Sequence, residues 1–161
     1  MARRSYATAN NLLAAARELG LDDAALHQLP GARAHAVLDQ ILDAFTTEGR
    51  AGRDRHWLWN DLRDPSTFLI GPRNLDVLLE LGPSSTQVWL IAEDFARKKP
   101  RAPFWVFEAT LSAAVATLQN HHLLEFYVVS RAMTWLVGEN HHDVLFAAGE
   151  HAIEVLKKTS A

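Results

Sequence analysis

The residues of this chain best suited to chemistry form one short polar run: Glu139, Asn140, His141, His142 and Asp143. The run lies between two apolar segments, residues 133–137 and 144–148. Imidazole and carboxylate groups ligate metal ions, transfer protons or contact charged partners, while Asn and Asp also hydrogen-bond the backbone of turns. Four interpretations are therefore open: metal ligation, proton transfer, partner binding and a hydrogen-bonded turn.

The histidine content makes a metal site worth testing, because eight histidines occur and four of them form two adjacent pairs: His121-His122 and His141-His142. Adjacent residues on a strand point to opposite faces, so one histidine of each pair would join a shared site. Together with Asp143 and either Glu125 or His151, they would supply nitrogen and oxygen ligands. No HExxH spacing supports this site. A structural turn is therefore favoured, and no metal or cofactor is predicted.

Glutamates also recur inside segments of strand character, at positions 93, 108 and 125. Glu125 lies between Leu124 and Phe126, which are expected to face the core, and it shares a face with Tyr127. That face is expected to be partly exposed or to carry a paired charge. Glutamates on one open face would form an acidic patch, although ordinary solvent-facing positions are the alternative. The predicted partner contacts are Glu93, Glu108, Glu125, Tyr127, Glu139 and Asp143.

Composition excludes several classes of function. The chain has no cysteine, so disulfides, thiol catalysis and thiolate metal sites are excluded. Its net charge of −3 disfavours direct binding of nucleic acid, and no apolar stretch reaches the roughly 20 residues of a membrane span. No Walker loop, GxSxG or GxGxxG motif is present, which disfavours an enzyme. We therefore expect a cytoplasmic protein without a membrane partner.

The first third of the chain has helical periodicity. Apolar residues recur at helical spacing through residues 7–47, and Gly20 and Pro30 divide this region into three predicted helices. The second of these helices is predicted from Asp22 to Gln28, with Asp22 as its cap. The following connector, residues 48–55, has two glycines and three arginines and is expected to be exposed.

Strand and helix patterns alternate in the rest of the chain. Short helices are predicted at residues 57–62 and 73–81, a helix capped by Thr110 follows residue 110, and a final helix spans residues 150–157. Strands are predicted at residues 87–92, 104–107, 123–129, 133–137 and 144–147, the first two antiparallel. The segment His56-Trp57-Leu58-Trp59-Asn60 is better suited to core packing than to stacking a base.

The predicted fold is α+β in a single domain, residues 1–161. An N-terminal helical part, residues 1–48, precedes an α+β part, residues 56–158. The latter is expected to contain a four- or five-stranded, mainly antiparallel sheet with helices packed on one face.

The order of these motifs resembles a group of small, mostly uncharacterised bacterial proteins that carry a W-L-x-x-E-N-H-H-D block after an E-[FY]-Y strand. The resemblance covers roughly residues 57–150. Such proteins are similar in size and style to immunity proteins of polymorphic toxin systems, including the SMI1/KNR4-like superfamily. The signature positions in this sequence are Glu125, Trp135, Asn140, His141, His142 and Asp143. The resemblance implies a cytoplasmic α+β protein that neutralises a cognate toxin without catalysis.

Two hypotheses of different classes follow. The first is an immunity protein whose acidic surface docks a basic toxin, such as a nuclease-like domain. Residues 101–161 support it, because they carry four basic and six acidic side chains. The alternative is a small metal- or histidine-dependent enzyme centred on His141, His142 and Asp143.

Overall fold

The computed structural model of the protein describes residues 7–54, 58–69, 74–97, 102–121, 123 and 125–159. Within these residues seven strands form one antiparallel sheet in the order β1-β4-β3-β5-β6-β7-β2. The strands are β1 (Leu26–Gln28), β2 (Ser66–Leu69), β3 (Gln87–Glu93), β4 (Phe104–Thr110), β5 (Phe126–Ser130), β6 (Leu136–Glu139) and β7 (Leu145–Ala148). The predicted α+β class is confirmed, but seven strands replace the expected four or five.

Four α-helices and three 3-10 helices accompany the sheet in the described part of the chain. The α-helices are α1 (Ala7–Glu18), α2 (Gly31–Phe45), α3 (Leu111–Asn120) and α4 (Glu150–Thr159). The 3-10 helices span Gly49–Gly52, Leu58–Asn60 and Leu75–Leu81. Among these helices, none combines the length and apolar character needed to cross a bilayer.

Helices pack on both faces of the sheet, so the prediction of helices on one face is wrong. On one face, α1, α3, α4 and the 3-10 helix Leu75–Leu81 form a core with alternate strand residues such as Val88 and Leu90. On the opposite face, α2 covers the intervening residues, such as Trp89 and Ile91. Burial on both faces explains why β3 is almost continuously apolar rather than alternating. We call the second surface the α2 face.

The two outermost strands are the ones absent from the sequence prediction. The predicted second helix is wrong: Asp22 accepts a hydrogen bond from the Ala25 N–H at 3.0 Å in a turn, and Leu26–Gln28 then pairs with β4. The N-terminal part therefore contributes a strand to the sheet. At the other edge, Ser66–Leu69 pairs with β7. Both strands are too short for a periodic pattern, and the sheet itself holds them extended.

Most other predicted elements are confirmed with small changes in their bounds. The helices α1, α2, α3 and α4 form where helical periodicity predicted them, and the Thr110 side chain accepts a hydrogen bond from the Ala113 N–H as the cap of α3. The strands β3 and β4 pair antiparallel as expected. The segment Leu75–Leu81 is helical but has 3-10 geometry.

Strand register brings several acids together at one end of the sheet. The Glu93 N–H at the end of β3 donates to the carbonyl of Glu125, just before β5. Phe126 of β5 pairs with Glu139 at the end of β6. Asp94 follows β3 directly. We call this end of the sheet, defined by Glu93, Asp94, Glu125 and Glu139, the acidic end.

Candidate functional site

All four carboxylates of the acidic end are buried. Glu125 and Glu139 are 0% exposed, while Glu93 and Asp94 are 3% exposed. The expectation that Glu93 and Glu125 lie on an open sheet face is therefore wrong, because α2 and its neighbouring segments cover that face. Tyr127, predicted as a contact, is likewise fully buried, with its hydroxyl 3.5 Å from Glu125 Oε2. Glu139 points to the opposite face, since strand residues alternate.

Glu125 forms the central interaction of the site with His141. Its Oε1 lies 2.5 Å from His141 Nδ1 and 3.3 Å from the His141 backbone N–H. This contact joins the Nδ1 side of the imidazole to the buried carboxyl group and so fixes the orientation of the ring. The His141 side chain is 31% exposed although its carboxylate partner is fully buried. The sequence led to the expectation that Glu125 lies on a partly exposed face or carries a paired charge, and the structure places His141 against its buried carboxyl group.

The β6–β7 turn, residues 140–144, presents His141 at the surface. The Asn140 Oδ1 accepts hydrogen bonds from the His142 N–H at 2.9 Å and from the Val144 N–H at 3.2 Å. Asp143 occupies the left-handed region, with φ of 58°, a conformation that Asp and Asn tolerate better than most residues. These are the bonds that the turn interpretation predicts.

Both histidines of the turn lie on the same side, which contradicts the expectation drawn from strand alternation. The His141 and His142 ring centroids are only 4.0 Å apart, with the planes tilted by 44°. The alternation rule fails because the residues belong to a turn, where side chains need not point to opposite faces. Together with Asp143 they form an exposed group of three polar side chains.

A second turn lies beside this group, after β3, and sequence reasoning missed its role. The two Asp94 oxygens accept hydrogen bonds from the Trp105 indole N–H at 2.8 Å and from the Ala96 N–H at 3.0 Å. These bonds fix the turn and leave Phe95 36% exposed. The available signal was a polar residue directly after a buried strand, followed by an aromatic residue.

Glu108 does not join the acidic end. It lies opposite Trp89 in the register between β3 and β4 and accepts a hydrogen bond from Arg131. His27 Nε2 is 3.1 Å and Arg33 Nη2 is 3.7 Å from its Oε2. The Arg131 guanidinium also lies over the Trp89 ring, 3.9 Å from the centroid. We call these five residues the Glu108 cluster.

The cations of the Glu108 cluster determine how Glu108 titrates. Burial by itself raises the pKa of the Glu108 carboxyl. The hydrogen bond from Arg131 and the charges of Arg131, His27 and Arg33 together outweigh burial and hold this pKa below its ordinary value.

The remaining predicted residues lie away from the turn. Trp135 is buried at the start of β6, where its backbone N–H donates to Ser130 Oγ at 3.1 Å. The His151 ring lies 2.9 Å from the Leu81 carbonyl. Within the residues that the structure describes, no three His, Asp or Glu side chains are placed to hold a metal ion. His122 and Leu124 lie outside the described residues.

The aromatic segment before β2 is described only in part. His56, Trp57 and the side chain of Trp59 lie outside the described residues. Leu58 is buried in the core under α2.

Comparison with known proteins assigns the chain to a family but not to a function. The chain belongs to DUF6756, a family of unknown function, whose sequence profile matches residues 8–160. No curated protein and no solved structure matches the chain.

Proposed function

We propose that this protein is a non-catalytic binding protein, specifically a bacterial immunity protein that acts in the cytoplasm and neutralises a cognate toxin domain. The observation that carries the proposal is the way the β6–β7 turn is held. Asn140 fixes its backbone and the buried Glu125 fixes His141 from below, so that His141, His142 and Asp143 are exposed in one defined arrangement. A pre-ordered polar turn loses little conformational entropy when a partner docks on it.

The neighbouring turn supplies an apolar contact. Because the Glu93 N–H bonds to Glu125 and the Glu125 side chain bonds to His141, the turn after β3 and the β6–β7 turn share the acidic end. Phe95 is the exposed aromatic residue at this end. Aromatic residues surrounded by polar groups are typical anchors of protein interfaces. We define Phe95, His141, His142 and Asp143 as the docking surface.

The docking surface revises the role of the predicted contact residues. Asp143 is exposed and remains a predicted direct contact. Glu93, Glu125, Tyr127 and Glu139 are buried in the unbound protein, so their proposed contribution is to support the surface from beneath. The excess of acidic residues after position 100 favours a basic partner, such as a nuclease-like toxin domain.

Co-expression with the product of the neighbouring gene tests the proposal. We expect that product to arrest growth when expressed alone, and growth to recover when this chain is added. Phe95→Ser should weaken the purified complex about tenfold or more, since exposed aromatic anchors contribute about 1–2 kcal/mol or more. Leu19→Ser is the matched control, because Leu19 is also an exposed apolar residue, at 41%, and lies on the chain after α1.

A test of the Asp143 charge requires a variant that preserves the turn. Asp143→Asn removes the charge but tolerates the same left-handed backbone, so a slower association rate that becomes normal at high salt is expected. Asp23→Asn, at an exposed aspartate ahead of β1, is its control. Absence of toxicity in the neighbouring gene product, or rescue that does not depend on this chain, would overturn the immunity proposal.

A second function is favoured by the Glu125–His141 geometry itself. A buried carboxylate that orients a partly exposed imidazole is an arrangement used for general acid–base catalysis. The alternative is therefore a small histidine- or metal-dependent enzyme. Elemental analysis of protein purified without a histidine tag tests the metal version, and a folded, metal-free sample would eliminate it. If His141→Gln retained full toxin neutralisation, His141 would not be needed for the proposed toxin contact. That outcome would favour a catalytic role for His141.

A further inference from the structure

A cavity of about 350 Å³ opens between the start of α2 and strand β4. None of the docking surface residues lines it, although Phe95 is only two residues from the lining residue Arg97. We propose that this cavity is a binding site for a small organic anion with an apolar body, such as an aromatic carboxylate or a phosphate monoester.

The apolar part of the site is formed by buried core residues. Leu29, Leu38, Phe104 and Val106 line the cavity, and each is at most 4% exposed. These side chains also belong to the core under α2, so the wall they form is fixed by packing on its other side. The volume falls at the lower end of the range for small-molecule sites, which suits a ligand of about one ring.

The polar part of the site is dominated by Arg97. The Arg97 guanidinium lies 3.8 Å from the centroid of the Trp105 ring, and its Nη1 donates to the Phe104 carbonyl at 3.1 Å. Trp105 is itself held by the bond from its indole N–H to Asp94. Both Arg97 and Trp105 line the cavity, so a planar cation is presented at its wall in a fixed orientation.

The charge around the cavity favours an anion over a cation. Among the described residues that line it, none is acidic, and Arg97 is the permanently charged one. Two acids contact residues that line the cavity: Asp94 accepts hydrogen bonds from Trp105 and Ala96, and Asp39 Oδ2 lies 3.9 Å from His35 Nε2. His35 and Gly31, in the first turns of α2, also line the cavity and add a basic side chain and the positive end of a helix. Guanidinium groups recognise carboxylates and phosphates by paired hydrogen bonds.

Titration of the full chain with defined probes, followed by assigned two-dimensional NMR, tests the site. Benzoate and phenyl phosphate are the probes, and benzyl alcohol and benzylammonium are their neutral and cationic counterparts. We expect saturable shifts at the amides of Leu38, Arg97 and Phe104 with benzoate or phenyl phosphate, at dissociation constants of about 1 mM or below. Benzyl alcohol should bind at least about tenfold more weakly, because it lacks the charge that pairs with Arg97.

Three variants distinguish the contribution of the Arg97 charge to binding from the contribution of the cavity. Arg97→Gln should weaken anion binding about tenfold or more, while Arg17→Gln, at an exposed arginine of α1, should leave it unchanged. Ala34→Leu adds a helix-compatible side chain to the cavity wall and should remove binding, with a native-like spectrum as the check on folding. The proposal is overturned if neither anion gives saturable shifts up to about 10 mM. Equal binding of benzyl alcohol, or unchanged binding by Arg97→Gln, would overturn it as well.

Discussion

Glu108 and Glu125 lie on the same face of the same sheet, yet their surroundings differ. Glu108 is 19% exposed and is surrounded by His27, Arg33 and Arg131. Glu125 is fully buried, and its side chain contacts Tyr127 and His141. Glu108 is paired with two arginines and a histidine that lie in α2, in the segment after β5 and in β1, whereas Glu125 is paired with a histidine on a surface turn.

We interpret this difference as one between a structural cluster and the surface proposed to bind a partner. Arginine stays charged at all physiological pH values, so Arg33 and Arg131 hold Glu108 between α2, β4 and the segment after β5 under all such conditions. The His141 side chain, by contrast, is 31% exposed beside a fully buried carboxyl group. The Glu125 pair therefore suits a surface that meets another molecule, while the Glu108 cluster suits a fixed internal contact.

The largest expected effect is the loss of stability on removing Glu125. Glu125→Ala leaves a buried space, deprives the Tyr127 hydroxyl of an acceptor and releases the His141 turn. We expect a decrease of about 2–3 kcal/mol in the free energy of unfolding. Glu108→Ala should cost only about 1 kcal/mol, because water can reach its partly exposed partners. Urea denaturation of both variants measures the two losses, and equal losses would contradict the comparison.

Sequence periodicity was sufficient to place Glu125 but not to describe its environment. Alternation between Leu124 and Phe126 correctly assigned Glu125 and Tyr127 to one face of β5. It could not show that α2, more than 80 residues earlier in the sequence, returns to cover that face. Burial by a distant segment is a tertiary effect that local spacing does not encode.

The edge strands and the histidine pair also depend on contacts that local sequence spacing does not predict. The strands β1 and β2 have three and four residues, so their conformation depends on pairing with β4 and β7 rather than on their own propensity. For the His141-His142 pair, the favoured turn interpretation agrees with the bonds that Asn140 makes to the backbone, whereas strand alternation wrongly placed the two rings on opposite faces. The signature run was thus recognisable, but the partners of its side chains were not.

A smaller effect on stability is expected when the cation that pairs with Glu108 is replaced. Arg131→Lys keeps the positive charge but loses the planar group that both bonds Glu108 and covers the Trp89 ring. We expect a loss of about 0.5–1 kcal/mol in the free energy of unfolding. Arg50→Lys is the control, because Arg50 pairs with Asp43 at a more exposed position. If both variants lose the same stability, the Trp89 contact contributes nothing beyond an ordinary surface ion pair.

The smallest effect is the pH dependence of the Glu108 cluster. The pKa of Glu108 is lowered from its ordinary value of 4.5 in the folded state. Its stabilising contribution is therefore complete above that value and is lost as the pH falls through the lower, folded pKa. We expect the difference in unfolding free energy between the wild type and Glu108→Gln to shrink as the pH falls through the folded pKa of Glu108. Urea denaturation of both proteins in the same buffers measures this difference, and subtraction cancels the titration of the other carboxylates. If the difference in unfolding free energy instead grew as the pH fell, the Glu108 charge would not stabilise the fold as proposed. The contrast with Glu125 would then be lost.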